Sequence, residues 1–152
     1  GFRASYGSTV EASAMGCEII YPPGTTPQAK PAIEELPRDL DKIRVGNPET
    51  DGRMPEALTL YHELAEKLSV HGFEITSGFL HGPMDVAAEV RGMTDLLLDF
   101  YRTPDAVRQL IDAATETCIA WAKAQFETAA KAQFETAVES EHDLQDDQGA
   151  NS

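Results

Sequence analysis

The sequence lacks the residue patterns that mark several common classes of protein. Its 152 residues hold two cysteines and no C-x-x-C pair, so neither a disulfide framework nor a cysteine zinc site is indicated. Lys and Arg number 12 against 26 Asp and Glu, and this net charge of −14 excludes the basic surface that binds nucleic acid. No apolar run approaches the roughly 20 residues of a membrane span, and no charged-then-apolar leader opens the chain. We therefore expect an acidic cytoplasmic protein.

Catalytic and metal-binding motifs are equally sparse. The chain has no G-x-S-x-G, G-x-x-x-x-G-K-S or G-x-G-x-x-G sequence. His62 is placed on a helix surface and His142 in an acidic tail, so we expect no catalytic triad and no metal site. Cys17 and Cys118 are isolated, and both are interpreted as small buried residues.

Turn residues divide the first third of the chain into short elements. Residues 2–6 are typical of the end of a strand, and the hydroxyl of Ser8 or Thr9 is predicted to cap a short helix through Met15. Gly16 then ends that helix in a left-handed turn. An extended piece follows over residues 18–21. Pro, Gly and Asp are frequent from Pro22 to Arg53, which predicts a surface excursion with one modest helical stretch over residues 38–43.

Helical periodicity becomes strong in the second half. Pro55 opens a helix with apolar residues at three- and four-residue steps, and residues 73–79 alternate as in a strand. Gly82-Pro83 marks the exit from that strand, Thr94 is predicted to cap a helix, and Thr103-Pro104 starts a long one. The predicted apolar stripe of the long helix comprises Val107, Leu110, Ile111, Ala114, Cys118, Trp121, Ala122 and Phe126.

An eight-residue duplication interrupts this pattern. Residues 123–130 read KAQFETAA and residues 131–138 read KAQFETAV, which indicates a slipped duplication or a junction near Ala130. The copies are rotated by about 80° on a helix, so the stripe drifts. We divide the chain into a barrel segment over 1–130, a duplicated helical segment over 131–138 and an acidic, disordered tail over 139–152.

Three sequence segments resemble one enzyme superfamily. They are STVEASAMGCEI at residues 8–19, HGPMDVAAEVRG at 81–92 and TPDAVRQLIDAATETCIAWAKAQFE at 103–127. They are similar to the uroporphyrinogen decarboxylase superfamily, which includes the decarboxylases and the cobamide-dependent methyltransferases. The resemblance implies an α/β fold, a partial (β/α)₈ barrel with a long C-terminal helix. A complete barrel takes about 250 residues, so we expect 152 residues beginning at Gly1 to be part of a longer protein.

The resemblance favours the methyltransferase branch. An ungapped register places Gly7 where the decarboxylases have an Asp and Glu89 where they have a Tyr, and the family's N-terminal Arg segment is absent. A Glu would repel the acetate and propionate groups of a porphyrinogen. The implied function is methyl transfer between a corrinoid and a thiol or pterin-type acceptor. Zinc serves the full-length methyltransferases, but its ligands, a His-x-Cys pair and a later Cys, have no counterpart here. Porphyrinogen decarboxylation and an inactive half-barrel with an assembly role remain alternatives.

Barrel chemistry lies on the loops that follow the strands, and two such strand ends are visible. The residues expected to bind a substrate or cofactor are Ser8, Thr9, Glu11, Ser77, His81 and Glu89. Glu11 could equally serve as a capping group at a helix start. His81 could equally be a polar loop residue without a functional role. No catalytic residue is assigned. The expected partners are a corrinoid or other tetrapyrrole and, because half a barrel leaves sheet edges exposed, a second copy or a complementary chain.

Overall fold

The computed structural model describes residues 2–3 and 7–149, with side chains described over 7–74 and 78–139. Helices dominate, and strands are short. In chain order the elements are β1 (Phe2–Arg3), α1 (Val10–Ala14), β2 (Glu18–Ile20), β3 (Gln28–Lys30), a 3₁₀ turn (Leu40–Lys42), α2 (Met54–Ser69), β4 (Ile75–Ser77), α3 (Pro83–Arg91), α4 (Met93–Arg102) and α5 (Pro104–Gly149).

The strands form two separate pairs. β1 lies parallel to β4, with Phe2 opposite Ile75, and the connection between them contains α1 and α2. β2 and β3 form an antiparallel pair in which Ile19 faces Ala29. Parallel strands joined through helices are the unit from which α/β barrels are built, and their carboxyl ends open onto the same edge. Within the described residues the closed barrel itself is not formed.

Two apolar clusters hold the helices together. The larger joins α1, α3, α4 and the first half of α5, and its fully buried residues include Met15, Ile33, Leu96 and Leu110. The smaller fixes α2 against α5 around Trp121, with Tyr61 in edge-to-face contact at 6.3 Å between ring centroids. α5 contributes residues to both clusters and therefore connects them.

The segment from Pro22 to Arg53 is more than a surface excursion. It contributes β3. Its residues Ile33 and Leu36 belong to the larger cluster, where they are 0% and 5% exposed. The predicted helical stretch is reduced to the 3₁₀ turn at Leu40–Lys42. With Leu40 and Ile43 these two residues recur at three- and four-residue steps and pack in the same cluster, but the many Pro and Gly residues of the segment concealed this pattern.

Several element boundaries differ from the sequence-based expectation. Thr9 is the N-cap of α1, but its hydroxyl makes no capping hydrogen bond. α4 begins one residue before Thr94, with Gly92 at its N-cap. The strand expected over residues 73–79 is confined to Ile75–Ser77, and that expected over 2–6 to Phe2–Arg3, with 4–6 outside the described residues. Gly16 does end α1 with a positive φ of 103°, as expected.

The apolar stripe of α5 turns away from its predicted course after Trp121. Phe126 is 73% exposed, while Gln125, Ala129 and Ala132 are buried. Steps of three and four residues from Trp121 lead through those three positions, whereas Phe126 lies about 100° around the helix from Gln125. The helix also continues to Gly149, through the tail that we expected to be disordered. No Pro or Gly interrupts residues 139–148, so nothing local breaks the helix there.

Both cysteines are buried, as their isolation predicted. Burial raises the pKa of the Cys17 and Cys118 thiols to about 11. Both thiols are therefore protonated at neutral pH and are poor nucleophiles and metal ligands. Among the described residues, no helix is both long and apolar enough to cross a membrane.

Candidate functional site

The two strand ends meet through Glu11 and His81. Glu11 lies on α1, after β1, and His81 lies in the loop between β4 and α3. The backbone N–H of His81 donates to Glu11 Oε1 at 3.0 Å, and His81 Nδ1 lies 3.3 Å from Glu11 Oε2. The Glu11 side chain is 2% exposed and the His81 side chain 16%. One carboxylate therefore fixes both the loop and the ring orientation of the histidine.

This arrangement gives each of the two residues a long-range partner that its sequence neighbourhood lacks. Glu11 lies in the first turn of α1, but its carboxylate is bonded to a residue 70 positions away. His81 has the carboxylate partner that its sequence neighbourhood does not supply. Within the described part of the chain, His81 Nε2 makes no hydrogen bond, so it is the ring nitrogen left for a ligand.

Glu89 is the third ionisable group at this position. It lies on α3, and its Oε2 is buried without a hydrogen-bond partner. The pKa of Glu89 is raised to about 7, mainly by burial; His81 lowers it, and nearby Glu11 and Asp85 add to the rise. An unpaired buried carboxyl oxygen is costly, so it points to a ligand or a proton at this site.

Residues of α2 and α5 support the loop before His81. The backbone N–H of Phe79 donates to the Tyr61 hydroxyl at 3.1 Å, and Gln125 Nε2 lies 3.5 Å from the Phe79 carbonyl oxygen. Gly78 approaches both side chains so closely that a Cβ there would collide with Gln125 and Tyr61. These supporting residues were missed because their role depends on helix packing; only the place of Tyr61 on a helical stripe was visible.

An open groove of about 460 Å³ lies beside His81. Its walls are mostly apolar, and they are formed by Leu80, His81, Gly82, Pro83, Thr115, Cys118, Ile119 and Ala122. The Cys118 thiol lies 3.5 Å from the His81 carbonyl oxygen and closes the groove on one side. A flat apolar surface with one histidine at its edge suits a large, mainly apolar ligand.

The six predicted binding residues thus separate into two groups. Glu11, His81 and Glu89 converge. Ser8 is exposed and Thr9 is buried, and the structure gives neither side chain a contact to the other three. The Ser77 side chain lies outside the described residues, so that prediction stays open.

A second group of polar side chains, which the sequence analysis did not assemble, could hold a metal ion. His62, Glu66 and Glu135 each offer one ligand atom, and these atoms all lie within 4.8 Å of one another. His62 and Glu66 are one helical turn apart on α2, a spacing visible in the sequence, but Glu135 joins them only through the packing of α5.

Comparisons with known proteins agree with this geometry. A parallel strand pair joined through helices, with polar residues beyond its carboxyl ends, is the repeating unit of α/β barrel folds. The chain belongs to the uroporphyrinogen decarboxylase (URO-D) family, whose model matches residues 2–143. Among solved structures it is similar to a methyltransferase from Methanosarcina mazei, with 27% sequence identity and a TM-score of 0.70 over 83% of this chain and 37% of that one. The chain thus spans little more than a third of this neighbour. The comparison with curated proteins gave no match.

Proposed function

We propose that this chain forms the corrinoid-facing part of a URO-D-family methyltransferase, which transfers a methyl group between a methylcobamide and a thiol or pterin-type acceptor. The observation that carries the proposal is the buried cluster of Glu11, His81 and Glu89 beside an apolar groove. The similarity to a methyltransferase supports the same branch of the family.

Charge at the cluster favours a corrinoid over a porphyrinogen. Two carboxyl groups, Glu11 and Glu89, lie beside His81, the ionisable residue of the groove wall, and no Lys or Arg lines the groove. The carboxylate side chains of a porphyrinogen would be repelled there. The amide side chains of a corrinoid are neutral and meet no such repulsion. The donor set therefore fits a corrinoid.

The chain's own residues bind the ligand and provide a group that can take up or release a proton. Glu11 Oε2 lies 3.3 Å from His81 Nδ1, so an ionised Glu11 favours the tautomer with the proton on Nδ1 and leaves Nε2 as an acceptor. Glu89, with a pKa of about 7, can exchange a proton at neutral pH. Leu80, Pro83 and Ile119 present apolar surface that excludes water. When bound, the corrinoid supplies the methyl group; zinc to activate a thiol belongs to the longer family proteins.

Titration of the full chain with hydroxocobalamin and with uroporphyrin tests the proposal. We expect the corrinoid to bind more tightly, and Glu11→Gln to weaken it by about 1 kcal/mol or more, because His81 loses its charged partner. Glu49→Gln, the same substitution at an exposed position outside the groove, is the matched control.

Preferential binding of uroporphyrin would overturn the methyltransferase proposal and favour decarboxylation. Binding of neither ligand would favour the third possibility, an assembly component without a tetrapyrrole. Equal corrinoid affinity in Glu11→Gln and wild type would show that this cluster is not the binding site.

A further inference from the structure

A second cluster of donors lies far from the groove, where α2 packs against the duplicated part of α5. His62 Nδ1 lies 3.7 Å from Glu66 Oε2, and His62 Nε2 lies 3.3 Å from Glu135 Oε2. The side chains of His62, Glu66 and Glu135 are 32%, 49% and 42% exposed, so all three are reachable from solvent.

The core beneath this cluster fixes the spacing of its two helices. Tyr61 and Ala65 of α2 and Trp121 and Ala132 of α5 are buried in one cluster directly alongside the three donors. His62 follows Tyr61, and Glu135 lies one turn beyond Ala132. The backbone positions of the donors are therefore set by packing, and only their side chains need to adjust.

We propose that His62, Glu66 and Glu135 bind one divalent transition-metal ion of the Zn²⁺ type. An imidazole with two carboxylates is a borderline donor set, which suits Zn²⁺ better than Mg²⁺ or Ca²⁺. Metal–ligand bonds of about 2.0–2.1 Å place the ligands of a tetrahedral Zn²⁺ roughly 3.3 Å apart. The two measured separations involve different ring nitrogens of His62, and one ion would bind only one of them. The ligand atoms, one from each residue, lie within 4.8 Å of one another, so the exposed side chains must draw together around the ion.

The remaining coordination position is open to water. A groove of about 330 Å³ adjoins the donors, and it is lined by Leu58, Thr59, His62, Glu63, Thr128 and Lys131. The Lys131 ammonium lies 3.8 Å from Glu135 Oε1 but is 69% exposed, so it can move away when an ion binds. Three protein ligands and one water form an accessible zinc site.

The duplication itself supplies the third ligand. Glu135 in the second copy corresponds to Glu127 in the first, about 12 Å back along the helix at 1.5 Å per residue. Glu127 is exposed and is not part of the group. Only the second copy brings its glutamate opposite His62, so the metal would tie the duplicated helix to α2.

Zn²⁺ titration of the full chain against a chromophoric chelator tests the proposal, because the two copies provide a matched pair of variants. We expect one equivalent bound at pH 7.5 by wild type and by Glu127→Gln, and at least a tenfold loss of affinity in Glu135→Gln and His62→Gln.

Thermal melts with and without Zn²⁺ give a second measure. The midpoint should rise with Zn²⁺ in wild type and Glu127→Gln only, since an ion that binds the folded state stabilises it. Far-UV circular dichroism checks that each variant is folded. Absence of tight Zn²⁺ binding by wild type, or equal affinity in Glu135→Gln, would overturn the proposal. The test does not involve the groove at His81, so its outcome is independent of the proposed function.

Discussion

Glu89 is the residue whose environment most clearly departs from that of a surface glutamate. Its carboxyl is partly buried among Glu11, Asp85 and His81, and its pKa rises to about 7 from an ordinary value of 4.5. An acid whose pKa is higher in the folded state stabilises the fold fully below the unfolded pKa. That contribution is lost as the pH rises to the folded pKa. The window for Glu89 is therefore about pH 4.5 to 7.

We predict that Glu89→Gln changes the pH dependence of stability. The neutral amide cannot ionise, so the free energy of unfolding of the variant, relative to wild type, should increase by about 1–2 kcal/mol between pH 4.5 and pH 8. Urea unfolding followed by circular dichroism at the two pH values measures this difference. Glu49→Gln, at an exposed position, should show no such trend. A difference that is the same at both pH values would mean that Glu89 titrates normally.

At the scale of elements, Arg91 joins three segments. It lies at the end of α3, and its Nε donates to Asp99 Oδ2 of α4 at 2.7 Å. Its Nη1 donates to the Glu34 carbonyl oxygen at 2.8 Å and lies 3.3 Å from Asp95 Oδ2. The Arg91 and Asp99 side chains are 7% and 5% exposed. The ion pair thus fixes α3 and α4 to the segment that carries Ile33.

We predict that Asp99→Ala lowers the free energy of unfolding by about 3 kcal/mol. The substitution leaves the buried Arg91 guanidinium with only the Glu34 carbonyl and the half-exposed Asp95 as partners, and an uncompensated buried charge is strongly destabilising. Asp95→Ala, which removes a 57% exposed partner of the same arginine, should cost less than about 1 kcal/mol. Equal losses in the two variants, measured by urea unfolding, would contradict this account.

Local sequence signals predicted where helices begin better than they predicted which side chains of different elements come into contact. Pro55 and Thr103-Pro104 correctly marked the starts of α2 and α5 to within a residue or two, because Pro occupies the first helical turn. Gly82-Pro83 was interpreted only as the exit from a strand, but α3 begins there. The contact between Glu11 and His81 could not be derived from spacing, since it spans 70 residues and depends on the parallel pairing of β1 and β4. The contact between His62 and Glu135 was missed for the same reason, since it depends on the packing of α2 against α5.

At the scale of the whole molecule, much apolar surface remains uncovered. α5 exposes Ile119, Phe126, Phe134 and Val138 at 51%, 73%, 70% and 50%. On an α-helix these positions fall within an arc of about 120°, so they form one outward face. Phe79 and Leu80, beside the strand pair, are 38% and 47% exposed. Exposed apolar faces of this kind mark surfaces that associate.

We predict that the chain forms a homodimer or larger assembly, with the helix over residues 123–138 exchanged or paired between copies. The two phenylalanines of the duplication, Phe126 and Phe134, supply its apolar contact. Sedimentation velocity across a micromolar concentration series should show association, and the double variant Phe126→Gln and Phe134→Gln should shift it toward monomer. Val70→Gln, a 72% exposed apolar residue off this face, is the control and should leave association unchanged. A monodisperse wild-type monomer that melts cooperatively would contradict the prediction, because the exposed face would then be stable in water without a partner.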